Sequence, residues 1–158
     1  MAKKQRKLAS GDVATNRRAS YRYELLEKIE CGIELRGSEV KSLRDGKAQI
    51  ADAYASLEEG ELWLRGVHIP PYAPASAENH DPDRPRKLLL HRFEIERLAA
   101  KVAERGWTLV PTRIYFNGSR AKVELALARG KERRDRRREL QDRDMRRDID
   151  RELRDRQR

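Results

Sequence analysis

From Tyr23 to Leu35 the apolar side chains fall at 29, 31, 33 and 35, one position in every two. That period places them on one face of a β-strand, because a helix needs spacings of three and four. The same alternation recurs in short stretches down to Ala128. Gly37 ends the first strand, and Ser38 is placed to cap a short helix running to Arg44, in which Val40 and Leu43 share a face. A strand over 53–57, the turn Glu58-Glu59-Gly60 and a strand over 62–69 read as a hairpin. Five of the six prolines then crowd between Pro70 and Pro85. Neither a ladder nor a helix survives that density, so an exposed loop is expected there, with a possible role as a contact surface.

Arg86 to Leu90 reads as a short strand leading into a helix over 91–105. Ile95, Leu98, Ala99 and Val102 form its buried stripe, and Gly106 stands at its C-terminal cap. Strands over 107–116 and 121–128 flank the turn Asn117-Gly118, a strong hairpin signal, and Pro111 confines its strand to an edge or a bulge. About six antiparallel strands with two inserted helices in a segment this short imply a mainly β fold, a small closed barrel of the OB type. Trp63, Trp107, Tyr115 and Phe116 are assigned to its core. Cys31 is read as a small apolar core residue of the first strand.

The excess charge lies outside that body. Residues 1–18 carry six basic side chains, among them Lys3, Lys4, Arg6 and Lys7, against one acid; residues 129–158 carry fourteen against nine; and 19–128 hold seventeen of each. The expected organisation is therefore a basic N-terminal arm (1–18), a neutral barrel (19–128) and a basic C-terminal tail (129–158). Two basic arms on a neutral body suit a polyanion, although phosphate neutralisation alone does not tell RNA from DNA. From Lys131 onward there is no proline, glycine or aromatic residue. Acid-to-base pairs at i, i+4 recur from Glu132/Arg136 to Glu152/Arg156, each adding ~0.2–0.5 kcal/mol to a helix. Leu140, Met145, Ile149 and Leu153 offer only a thin apolar seam. The tail is thus expected to be disordered alone and helical along a partner.

Some functions are disfavoured. Charged residues make up 41% of the chain, and no run approaches the ~20 apolar residues of a membrane-spanning helix. No apolar stretch follows the N-terminal charges as a secretory signal would require, and one cysteine cannot form an internal disulfide, so a cytoplasmic location is expected. There is no phosphate-cradling glycine loop, no serine or cysteine with a plausible histidine base and no HExxH motif. His68, His80 and His91 lack metal-ligand spacing. The expectation is a binding protein with no catalytic residues, cofactor or metal.

Specific blocks sharpen this. Asn16-Arg17-Arg18-Ala19, then Gly32 to Arg44 (GIELRGSEVKSLR), Gly46-Lys47-Ala48, Asp52-Ala53-Tyr54, Arg86-Lys87-Leu88-Leu89-Leu90, Lys122-Val123, Gly130-Lys131 and Asp135-Arg136-Arg137 occur in order along nearly the whole chain. In this the chain resembles the SmpB family of bacterial tmRNA-binding proteins. The resemblance implies an OB-fold barrel that binds the tRNA-like domain of tmRNA and delivers it to the A site of stalled ribosomes, the C-terminal tail becoming helical in the vacant mRNA channel. The implied partners are tmRNA and the ribosome, chiefly small-subunit rRNA, with EF-Tu and alanyl-tRNA synthetase reached indirectly through tmRNA and the protein monomeric on its RNA. Carried over position by position, Asn16, Glu30, Leu89 and Lys122 are tmRNA contacts, and Arg18, Lys41, Arg86 and Lys87 are phosphate contacts. Ribosomal contacts fall to Tyr21, Gly130, Lys131, Arg134, Asp135, Arg136, Arg137, Met145, Ile149 and Leu153. Tyr21 and Arg134 stand where many family members have histidine. A general OB-fold RNA-binding protein without tmRNA dependence is the alternative reading.

Overall fold

The computed structural model describes residues 11–75, 79–131 and 133–157. Lys3, Lys4, Arg6, Lys7 and Glu132 lie outside them, as do the side chains of residues 133–136.

Seven strands and four helices follow in chain order: β1 (Asp12–Thr15), α1 (Arg17–Arg22), β2 (Tyr23–Ile33), α2 (Gly37–Arg44), β3 (Tyr54–Glu58), β4 (Glu61–Arg65), β5 (Arg86–Leu89), α3 (Arg92–Arg105), β6 (Thr108–Asn117), β7 (Arg120–Gly130) and α4 (Arg133–Arg156). Every strand pairing is antiparallel, and the path β6-β3-β4-β5-β2-β7 closes on itself through the β6–β7 ladder. The result is the expected six-stranded barrel, with β1 added outside the ring. Inward-facing positions of β2, β4, β6 and β7, such as Cys31, Leu62, Leu64, Ile114, Val123 and Leu125, fill it and are all 0–1% exposed. Burying each large aliphatic side chain contributes ~1.5–3 kcal/mol.

β1 and β3 share one edge of β6. β1 pairs alongside Arg113–Tyr115 and β3 at Leu109, with a bulge between Pro111 and Arg113. Proline has no amide hydrogen to offer a ladder, so the handover occurs where the ladder loses least. This corrects the expectation of an arm over 1–18: from residue 12 the chain is already part of the sheet.

α1 was not foreseen. Asn16 caps it, accepting from the Ala19 amide at 3.2 Å and donating to the Pro111 carbonyl at 3.0 Å. The helix covers the outer face of β6 and β7, where Ala126, Ala128 and Val110 are small enough to admit it, with Ala19 wedged between and Tyr23 packed at the margin. α2 starts two residues earlier than expected, with Arg36 rather than Ser38 at the capping position. The Ser38 hydroxyl instead lies 2.8 Å from His80 Nδ1. α3 follows its predicted stripe, with Leu98 fully buried, and lies over β2, where Glu27 receives Arg97 and Lys101, each at 2.8 Å. The Lys101 hydrogen bond outweighs burial, and with Arg97 it holds the Glu27 carboxyl below the usual carboxylate range.

The proline-rich segment is not a free loop. His80, 4% exposed, bridges Ser38 and the Ile69 carbonyl, and Ser42 donates to the Pro70 carbonyl at 2.8 Å. Below it lies a fully buried ion pair, Arg86 Nε to Glu39 at 3.2 Å, while Arg86 also donates to the carbonyls of Val67 (2.8 Å) and Pro82 (2.9 Å). Arg84 bonds the second Glu39 oxygen. Among the described residues no helix is long and apolar enough to cross a membrane.

Candidate nucleic-acid interface

On β2 and β7 the inward positions are apolar and the outward ones split in two. Toward one end, small residues lie beneath α1; toward the other, the outward residues are uncovered. In that uncovered zone Leu89 of β5, Gly32 of β2 and Lys122 of β7 stand directly opposite one another in a single row, which continues through Tyr115 to Asp12. Glu30 lies two residues from Gly32 on the same strand and therefore on the same face. Its carboxylate is 3.9 Å from Lys122 Nζ and accepts the Tyr115 hydroxyl proton.

Gly32 is what allows this row to close up. A Cβ there would sit 3.2 Å from the Leu89 Cβ, tighter than ordinary side-chain contact. Leu89 remains half exposed at the surface. With Ile33, Leu35 and Val40 it walls a groove of about 460 Å³ whose rim carries Arg120 and Lys122. An apolar floor beneath two cations suits an unstacked base with its phosphate.

The neighbouring row is an ion network. Arg113 bonds Glu124 at 3.1 Å and Asp12 at 2.9 Å, and its guanidinium lies 4.2 Å from the Tyr115 ring centre. Those two carboxylates, Glu124 first, hold the Arg113 pKa above its ordinary value. Burial raises the Glu124 carboxyl, but bonds from Thr112 and Arg113, with Lys28 close by, outweigh it and leave the group below the usual range. Burial, and then the Glu30 carboxylate, push the Tyr115 hydroxyl up to about 12, so it stays a neutral donor. The Glu30 carboxylate is thus held from both sides, as an acceptor for nucleic-acid amino or 2′-hydroxyl groups requires.

Other expected residues lie apart. Arg86 is fully buried against Glu39 and Asn16 is 7% exposed in its capping role, so in this structure both side chains are engaged in holding the fold. Lys87 is drawn back to Glu61 at 3.0 Å, and Lys41 sits over the Tyr72 ring at 5.7 Å. Arg18 and Tyr21 occupy the exposed side of α1, Arg18 3.8 Å from Asp52. Gly130 pairs with Tyr23, and Lys131 bonds the Ser20 carbonyl and Glu139. The chain thus leaves the barrel beside α1. From Arg137 through Gln157 every residue of the tail is exposed, Met145, Ile149 and Leu153 included. Arg134, Asp135 and Arg136 belong to α4 by backbone.

Gly32, Arg113, Tyr115 and Glu124 were missed in the sequence. Parity was the available signal: with Ile114 pointing inward, Tyr115 must share the outer face with Arg113. No group of three or more potential metal-binding side chains occurs among the described residues.

Comparisons with known proteins point to one family. The family model described as SmpB protein matches residues 13–155. An SsrA-binding protein of Mycobacterium sp. (strain KMS) is 55% identical over 141 residues, covering 89% of this chain and 84% of that protein. One from Mycolicibacterium vanbaalenii is 49% identical over 156 residues, covering 97% and 94%. A solved structure described as "tmRNA-SmpB: a journey to the center of the bacterial ribosome" superposes with a TM-score of 0.64 at 53% identity, covering 76% of this chain and 85% of its own. With a closed barrel and a family model running almost end to end, the chain belongs to the SmpB family.

Proposed function

We propose that this protein binds the tRNA-like domain of tmRNA through the face of β5, β2 and β7 and brings it to ribosomes stalled in translation. The observation that carries this is the single row Leu89–Gly32–Lys122 with Glu30 beside it: an apolar wedge, a cation and an oriented carboxylate on one face. Such a set reads an RNA loop by shape, stacking and edge hydrogen bonds, with few phosphate charges. Arg18 and Tyr21 on α1 and the tail from Gly130 onward contact the ribosome, chiefly small-subunit rRNA. Arg134 to Arg137, Met145, Ile149 and Leu153 line the contact along the vacant mRNA channel. Fourteen tail cations favour that phosphate-lined passage, and nine acids temper binding to other RNA. EF-Tu and alanyl-tRNA synthetase are reached through the RNA, in the cytoplasm. The protein works as a monomeric binding partner, with no covalent step of its own.

The test is competition binding near physiological salt, using the full chain and a chain ending at Lys131. A labelled tRNA-like domain competes against an unrelated hairpin and duplex DNA. The proposal expects preference for the tRNA-like domain by about a hundredfold or more in both chains, with ribosome engagement lost in the shorter one. Equal affinity for all three competitors would show generic RNA binding instead.

A further inference from the structure

Leu89 walls a second groove on its other side, floored by Leu88, Leu90 and Ile95 and leading to the start of α3. Just beyond it in sequence the His91 and Phe93 rings stack nearly parallel, 10° apart with centroids 5.7 Å from each other. Phe93 is 68% exposed, the most exposed of the large apolar side chains among the described residues. A lone surface phenylalanine needs no explanation. One already set parallel to and offset from a second flat ring, four residues beyond a half-exposed leucine of a nucleic-acid face, presents a preformed stacking surface. Its flanking cations are answered locally, Lys87 by Glu61 and Arg92 by Glu96, and Glu59 and Glu94 add acids, so the region offers flat apolar area rather than attraction for phosphate.

We propose that the His91–Phe93 pair is a base-stacking platform that extends the RNA face over Leu89 onto the start of α3, and that its ligand is an unpaired nucleobase. This rests on the binding reading above. Stacking on an aromatic ring accepts any base, so the platform adds affinity wherever a loop nucleotide is splayed outward. It also predicts a distinct salt response: a platform contact leaves the slope of affinity against salt unchanged, whereas a phosphate contact lowers it.

The experiment measures binding of a transcribed tRNA-like domain of tmRNA to the full chain and its Phe93→Ala, Phe93→Tyr and Lys122→Ala variants across a salt series. A Phe93→p-benzoylphenylalanine variant is photo-cross-linked in parallel. Expected is a loss of about tenfold for Phe93→Ala at constant salt slope, retention within about twofold for Phe93→Tyr, and a cross-link to RNA. Thermal unfolding of Phe93→Ala stays at the parent value, because the ring is exposed. The proposal is overturned if Phe93→Ala binds within about twofold of the parent, if Phe93→Tyr loses as much as Phe93→Ala, or if the cross-link joins two protein copies. If Lys122→Ala loses affinity while Phe93→Ala does not, the platform fails and the RNA face stands. If neither matters, the face itself is wrong.

Discussion

Arg86 offers a sharp separation of fold from function. Replacing it with methionine removes a guanidinium that solvent does not reach, leaving the buried Glu39 carboxylate with Arg84 as its remaining cation. The carbonyls of Val67 and Pro82 lose donors at 2.8 and 2.9 Å. Breaking a buried pair by deleting one partner destabilises by ~3–5 kcal/mol. Arg84 still answers Glu39, and methionine refills the aliphatic stem, so the low end applies, about 3 kcal/mol. For a barrel of this size that lowers the unfolding midpoint by about 12 °C. Urea unfolding followed by Trp63 and Trp107 fluorescence, together with a thermal melt, measures it. Because the guanidinium is enclosed, affinity for the tRNA-like domain, measured well below the melt, stays within about twofold. The Glu39→Gln/Arg86→Met double variant is expected to be less damaged than Arg86→Met alone, since the fully buried charge is then gone and only the partly exposed Arg84 loses a partner. A melt unchanged within about 2 °C alongside a tenfold or greater loss of RNA affinity would refute it and return Arg86 to the surface as a phosphate contact.

Removing the hydroxyl in Tyr115→Phe frees the Glu30 carboxylate, and RNA affinity falls about fivefold with little change in the melt, as filter binding and calorimetry can check. Gly32→Ala forces a methyl against Leu89, lowering stability by about 1 kcal/mol in urea and weakening RNA binding through displacement of Leu89. Burial, with Glu94 and Glu30 adding, raises the Cys31 thiol to about 12. The native protein therefore resists thiol-labelling reagents until it unfolds. Because the folded-state value is the higher one, this contribution to stability is full below the ordinary thiol range and fades as pH climbs toward 12.

Local signals served the reading well where the chain speaks to itself. The β3–β4 turn at Glu59-Gly60, the Asn117-Gly118 hairpin and the α3 stripe each depend on residues within a few positions, and each formed. The misses share a different cause. β1 is too short to show a period and exists only because β6 has a free edge above Pro111. Ser38 has the chemistry of a helix cap but spends its hydroxyl on His80, a partner 42 residues away. Arg86 looks like any surface cation until Glu39, 47 residues earlier, is found beneath the proline-rich segment. Buried ion pairs are invisible to periodicity. At the candidate site, the family resemblance supplied Glu30, Leu89 and Lys122 as expected contacts, and strand pairing brings the three onto one face. Gly32 lay inside a quoted block without a role, and Tyr115 was assigned to the core because aromatic residues in strands usually belong there.

The long β2–β7 ladder sets a length. From Tyr23, paired with Gly130, to Gly32, paired with Lys122 and Leu89, the strand advances about 30 Å. The root of the tail and the nucleic-acid face therefore sit at opposite ends of one hydrogen-bonded rod. Side-chain substitutions anywhere on the barrel leave that interval untouched, because the backbone rise sets it. An unmatched residue in one strand is absorbed as a bulge, as Leu26 already is between Leu25 and Glu27, so the protein carries a gauge that only residues added to or lost from both strands reset.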